Sequence, residues 1–139
     1  MERIAFHSSL RYVKLNGSLG NIGLMCNGVG MNAACQDLIA IYGGVPANFL
    51  DLGGDSAIED YDEALSLLEF DVRVKCVLVN VFGGMQKVSV LTKKIISNIK
   101  NESFTKPIVI RLRGDDEEYA NLILKKYIDS LSEDSPIRN

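Results

Sequence analysis

The sequence has 139 residues, of which 47% are hydrophobic and 24% charged, enough for one ordinary domain with a real core and too few for two full ones. A formal net charge of -3 excludes the basic footprint of a nucleic-acid binder and the make-up of an acidic disordered tail, so an anionic ligand must be held by local geometry. Apolar runs such as residues 76–82 are too short to cross a bilayer and no secretory signal marks the start, so neither membrane insertion nor export is expected.

In chain order, short apolar runs alternate with longer amphipathic stretches, and glycines mark the passages between them. Residues 1–10 read as an N-terminal extension. The stretch NIGLMCN at 21–27 reads as a buried strand, after which Met31, Ala34, Cys35, Leu38, Ile39 and Tyr42 recur at helical spacing up to the stop at Gly43-Gly44. FLDLG at 49–53 is a short strand; Ser56 is a plausible cap for a helix lined by Ile58, Tyr61, Leu65 and Leu68. CVLVNVF at 76–82 is almost continuously apolar, as expected of a parallel strand covered on both faces, and Val88, Leu91, Ile95 and Ile99 mark the next helix. Pro107 introduces a strand over 108–112, Tyr119, Leu122, Ile123 and Tyr127 suggest a last helix, and 132–139 form a polar tail.

The expected fold is therefore α/β: a doubly wound, flavodoxin-like parallel sheet of about four strands with helices on both faces, because parallel connections need crossovers. Ligands of such sheets bind outside the carboxyl ends of the strands. Three glycine-rich turns fall on that rim: Asn27-Gly28-Val29-Gly30, Gly53-Gly54 and Gly83-Gly84. There, backbone amides and the positive end of a helix dipole can face an anion, although a glycine at such a turn can equally do no more than relieve strain. Gly28 to Ala33 fits only the variant of the dinucleotide pattern, and no Gly-Lys-Ser or Gly-Lys-Thr marks a P-loop. From the residues alone the reading stops at a phosphate or carboxylate site of unknown purpose.

The three cysteines, Cys26, Cys35 and Cys76, lack Cys-x-x-Cys spacing and fit free thiols in a reducing compartment. His7, the only histidine, lies outside every glycine turn and receives no catalytic task. Asp51, Asp55, Asp60 and Asp62 lack the ligand spacing of a calcium loop, so no metal is assigned, and residues 115–118 read as a solvated helix start.

Residues 12–20, then NIGLMCNGVGMNAACQDLIAIYGGVPANFLDLGG and VLVNVFGG, resemble the C-terminal CoA-ligase domain of the succinyl-CoA synthetase β subunit; the likeness runs roughly from 10 to 112, and Gly43 to Asp51 is its most telling segment. The resemblance marks 11–131 as the CoA-ligase-like domain. It implies pairing with an α subunit that binds coenzyme A and carries a phosphorylated histidine, with succinate or a related organic acid as substrate. No nucleic-acid partner is implied. In that family an ATP-grasp domain of the β chain handles the nucleotide, and this sequence contains no such portion. Coenzyme A, ATP or GTP, and magnesium then belong to the full complex, and this domain alone binds no cofactor. The implied setting is the mitochondrial matrix in a eukaryote and otherwise the cytoplasm.

By the same mapping the helix start at Gly83 and Gly84 binds phosphate, the amides around Gly84, Met85 and Gln86 face the phosphoryl group or a substrate carboxylate, and Asn27 hydrogen-bonds the organic acid. A bland alternative for Asn27 is a side chain that caps its own turn. Against the family pattern, Met85-Gln86-Lys87 replace an Ile-Val start, Arg113 replaces an acidic residue, and a further strand and helix do not follow the fourth helix, which leaves a sheet edge or a partner to compensate. Two functions follow. One is the succinate and phosphohistidine half-site of an acid-CoA ligase; the other is an inactive, ligase-derived scaffold subunit.

Overall fold

The apolar run near residue 24 becomes the central strand of a five-stranded sheet. The computed structural model describes residues 10–53, 58–83 and 87–131; Ser56, expected as a helix cap, lies outside them. The elements are β1 (Arg11–Lys14), β2 (Ile22–Cys26), α1 (Val29–Ile41), β3 (Asn48–Asp51), α2 (Ile58–Phe70), β4 (Cys76–Gly83), α3 (Val88–Lys100), β5 (Ile108–Gly114) and α4 (Glu117–Asp129). The sheet order is β1-β3-β2-β4-β5; β3, β2, β4 and β5 run parallel, with Met25 beside Val79 and Val79 beside Ile110.

Strand β1 corrects the sequence expectation of about four strands in a wholly parallel sheet: it is a fifth strand and lies antiparallel to β3, with Arg11 opposite Asp51 and Lys14 opposite Asn48. Its four residues bury only Tyr12. Such a segment carries no alternation for a sequence reading to detect, and its place is decided by the neighbour it pairs with.

Alternation along the strands sends side chains to two faces. Met25, Val77, Val79, Ile108 and Leu112 join α2, α3 and α4 in the main core, where Leu65, Leu68, Leu91 and Ile95 are buried. Leu24 and Cys26 point the other way and pack with Cys35 and Ile39 of α1. Helices therefore cover both faces, as expected, but among the described residues in a ratio of three to one. Val109 of β5 remains 64% exposed on the more open face.

Side-chain amides complete the backbone pairing where β3 bows away from β2. Asn48 is fully buried; its Oδ1 accepts the Leu24 N–H (3.0 Å) and its Nδ2 donates to the Leu24 carbonyl (2.8 Å). Asn32 of α1, also fully buried, donates to the Leu50 carbonyl (2.8 Å) and so anchors the helix to β3. A buried main-chain group left without a partner is costly, which makes these carboxamides structural necessities.

At the other end of the sheet, Arg73 donates to the Leu15 and Ala47 carbonyls at 2.9 and 3.0 Å and also to the Gly17 carbonyl. It forms a two-pronged pair with Asp71, Nε to Oδ1 at 2.9 Å and Nη2 to Oδ2 at 2.5 Å. Burial by itself raises the Asp71 pKa, but the hydrogen bonds and charge of Arg73 outweigh it and hold the carboxyl below the usual range. Tyr12 reaches the same carboxylate at 3.4 Å, and burial pushes its hydroxyl up to about 12. This cluster ties β1, the approach to β3 and the turn before β4 together.

Two outcomes follow for unfolding by urea. Asn48→Ala strands two buried main-chain groups and should cost about 2–6 kcal/mol, whereas Asn32→Ala strands one and should cost about half as much. Because Asp71 is lowered in the fold, its pairing stabilises above about pH 4, its ordinary value, and that contribution fades as pH falls through the lowered one. Arg73→Met should lose about 3–5 kcal/mol at pH 7, and its deficit against the parent should shrink on acidification through the carboxylate range, since an unpaired buried Asp71 prefers its neutral form.

Candidate functional site

The carboxyl ends of β2, β3, β4 and β5 share one rim, and polar side chains brace its loops to one another. Asp51, at the end of β3 and 3% exposed, accepts the Gly28 N–H (2.6 Å) and the Gly53 N–H (2.9 Å) through one oxygen, Oδ1. It thus closes its own turn, as an aspartate two residues ahead of an amide commonly does, and holds the loop after β2 as well. Gly28 has φ +95°, a conformation that side-chain-bearing residues resist, so this turn needs glycine. In sequence Asp51 stood out as part of a distinctive segment and as one of four aspartates without calcium-loop spacing; the Asp-Leu-Gly spacing signals the local turn, but its second partner is supplied by the fold.

Asn27 is half-buried and engages β4 from the end of β2. Its Nδ2 donates to the Phe82 carbonyl (2.6 Å) and its Oδ1 accepts the Phe82 N–H (2.8 Å), so the carboxamide extends the sheet pairing by one rung. One N–H of the amide and one lone pair stay outside these two bonds. The contact places Asn27 beside Gly83, the buried last residue of β4. Gly84, Met85 and Gln86, assigned with them in the sequence reading, lie outside the described residues, as do His7 and Asp55.

Helix α3 begins against the loop from β5 to α4. The Gly83 carbonyl accepts the Asp115 N–H (3.1 Å), and the Val88 N–H points to the Asp115 carbonyl (3.3 Å). Asp116 accepts the Ser89 N–H on Oδ1 (3.1 Å) and the Ser89 hydroxyl on Oδ2 (2.5 Å). Gly114 has φ +107°, and a Cβ there would lie 1.9 Å from the Gly83 oxygen. Only glycine permits that approach. Glu117 accepts the Gly114 N–H (2.8 Å) and pairs with Arg113 (2.9 Å); the Gly114 N–H, followed by the Arg113 guanidinium, lowers its pKa. The expected solvated helix start thus describes Asp115 and Glu118, which are exposed, whereas Asp116 and Glu117 have structural partners.

A separate apolar groove of about 540 Å³ opens on the α1 face, lined by residues that include Ile22, Cys35, Leu38, Ile39, Leu78 and Arg111. Asn80 connects its polar members, donating to Cys35 Sγ (3.1 Å) and accepting from Arg111 (2.9 Å). Burial, followed by the neighbouring Cys35, pushes the Cys26 thiol up to about 12, so it stays protonated and inert near neutral pH. Among the described residues no group of three or more His, Cys, Asp or Glu is arranged to hold a metal ion, and no helix is long and apolar enough to cross a membrane.

A family model described as CoA-ligase matches residues 25–131, a span that includes the whole rim. The chain belongs to the CoA-ligase family. It is 43% identical over 136 residues to the succinate–CoA ligase [ADP-forming] subunit beta 2 of Archaeoglobus fulgidus, covering 98% of this chain and 33% of that one. Over 116 residues it is 43% identical to the mitochondrial ADP-forming β subunit of Dictyostelium discoideum, covering 84% of this chain and 25% of its relative. The chain therefore spans about a third or less of the length of these relatives, and corresponds to the CoA-ligase domain in their C-terminal portion. Among solved structures, ATP citrate lyase from Methanothrix soehngenii in complex with citrate and coenzyme A superposes with a TM-score of 0.72 at 18% identity, over 93% of this chain and 38% of that one. At that identity the likeness establishes a shared fold.

The bracing of the CoA-ligase rim has a direct test. Gly114→Ala should lower the melting temperature by at least about 8 °C, because a 2 kcal/mol loss alone shifts a domain of this size by roughly that much and the Cβ would meet backbone. Asn27→Ala should cost about 0.5–1.5 kcal/mol, the net worth of an exposed pairing, since water can reach the Phe82 groups. Differential scanning calorimetry reads both, and a Gly114→Ala protein that melts with the parent would contradict the close approach.

Proposed function

We propose that this chain supplies the organic-acid and phosphohistidine half-site of an acid–CoA ligase, at the junction with an α subunit, for the reaction acid + CoA + NTP to acyl-CoA + NDP + phosphate. The observation that carries the reading is the placement of Asn27 beside Gly83, at the strand end leading into α3, in a domain 43% identical to succinate–CoA ligase β subunits. In this reading the amides of Gly84, Met85 and Gln86 face the phosphoryl group or a succinate carboxylate, with the positive end of the α3 dipole behind them. Asn27 keeps one amide N–H for the acid while the rest of its carboxamide fixes the loop. Donors already aimed where negative charge collects need no reorganisation during transfer, and that is their contribution to rate.

In this reading coenzyme A, the nucleotide and magnesium are bound elsewhere in the complete assembly. The α subunit provides the phosphorylated histidine, and succinate or a related dicarboxylate is the acid. A scaffold role is the competing reading, favoured by the engagement of the Asn27 carboxamide with Phe82 and by the unusual Gln86-Lys87 pair that follows Met85.

The purified chain, mixed with a phosphorylated α subunit, succinate and coenzyme A, should release phosphate from the phosphohistidine. Gly84→Glu should reduce that release about 100-fold or more, since it sets a carboxylate against the amide donors. Association without any discharge by the parent chain would favour the scaffold; no association would remove both forms of the assignment.

A further inference from the structure

Strand β4 is otherwise apolar as far as Phe82, yet its middle residue, Asn80, presents a carboxamide to the α1 face. Its Nδ2 donates to Cys35 Sγ (3.1 Å) and its Oδ1 accepts an N–H of Arg111 on β5 (2.9 Å). Asn80 and Arg111 stand side by side in the sheet, at the level of Cys26. One guanidinium nitrogen of Arg111 is thereby tied to the groove wall, and the fork it belongs to has further N–H groups to give. Among the described residues no carboxylate pairs with Arg111, whereas Arg113, next on the same face, is taken by Glu117 (2.9 Å).

From this polar pair the groove runs towards the start of β2. Ile22 stands opposite Cys76, four residues before the level of Cys26 and Asn80, or about 13 Å at the usual rise of a strand. Gly44 closes that end, where a Cβ on it would lie 2.6 Å from the Ile22 side chain and 2.8 Å from that of Ile39. Leu38 and Leu78 line the path between, and Leu38 is 53% exposed. The volume, about 540 Å³, falls within the range of about 300–1,000 Å³ of small-molecule sites, which combine an apolar lining with a few placed polar groups. One end of this groove is closed and apolar, and the other is cationic.

We infer that the groove binds a free monocarboxylic acid of medium chain length, with its tail between α1 and β4 and its carboxylate on Arg111. A guanidinium held from one side by Asn80 offers the paired N–H geometry that a carboxylate accepts, and the tail gains by leaving water for Leu38, Leu78 and Ile22. The length of the groove is that of a medium acyl chain. A dicarboxylate does not suit it, because a second charge would be driven into the apolar end. A second copy of the chain fits no better, since a two-fold contact through this face sets one Arg111 towards the other. The site lies on the α1 face below the rim and stands independently of the proposed half-site.

The test titrates octanoate, decanoate and decanol into the full chain at pH 7 and follows the backbone amide resonances of Leu38, Leu78 and Asn80 with the Nε–H of Arg111. Decanoate should move all four and bind about tenfold more tightly than octanoate, because each buried methylene is worth up to about fourfold. Succinate should leave them in place. Arg111→Met keeps an apolar stem and should weaken decanoate about tenfold while leaving decanol unaffected. Leu38→Glu changes an exposed helical position, so it should melt within a few degrees of the parent, and it should abolish decanoate binding by setting a carboxylate in the path of the tail.

Resonances unmoved by decanoate, decanoate bound equally by the parent and Arg111→Met, or decanol bound by the parent as tightly as decanoate would each overturn the inference. The same resonances moving on an increase of protein concentration alone would assign the face to a second copy and overturn it as well. The α-subunit discharge assay reads the half-site separately, so failure of either proposal leaves the other standing.

Discussion

The sheet depends on a buried asparagine doing the work of a backbone. Between β2 and β3 the direct pairing is sparse, and Asn48 fills the gap by exchanging two hydrogen bonds with Leu24 at the centre of the molecule. A carboxamide can do this because it carries a donor and an acceptor in nearly the geometry of a peptide group. Asn27 repeats the device at the other edge of β2, against Phe82 of β4. The central strand is thus joined to both neighbours in part by side chains, and the rim inherits its shape from those joints.

The rim follows from the same need to satisfy polar groups. Asp51 holds the loops after β2 and β3, Asn27 joins β2 to β4, and the approach of Gly114 to Gly83 joins β4 to β5. Each strand end is therefore positioned by a neighbour rather than by its own sequence. Such cross-bracing gives fixed amide directions, which the proposed half-site would require. Asp116 belongs to this set through its two bonds to Ser89, which join the loop after β5 to the start of α3.

The two faces of the sheet are stabilised unequally. Among the described residues three helices close the main core over β2, β4 and β5, whereas α1 alone covers the other side and leaves Val109 and the groove around Leu38 and Arg111 open. Strands of a parallel sheet are normally covered on both faces, so this surface is the less protected side of the domain. The Arg73–Asp71 cluster offsets some of that asymmetry at the opposite end from the rim, where it ties the edge strand β1 to the turn before β4.

The amino-acid sequence by itself determined the alternation of strand and helix, the parallel core of the sheet and the location of the rim. Those properties are carried by local periodicity and by glycine at turns, which report on a residue and its near neighbours in the chain. It also carried the family, because an ordered pattern such as 43–51 survives as a string. Only the tertiary structure decided that residues 11–14 form a fifth strand, that Asn27 turns its amide to Phe82 and that Asp116 caps α3 instead of α4. In each case the partner lies far along the chain or on another element, 55 residues away for Asn27 and 27 for Asp116. The choice is made by which groups the packed layers bring within reach of one another, and no local pattern contains that information.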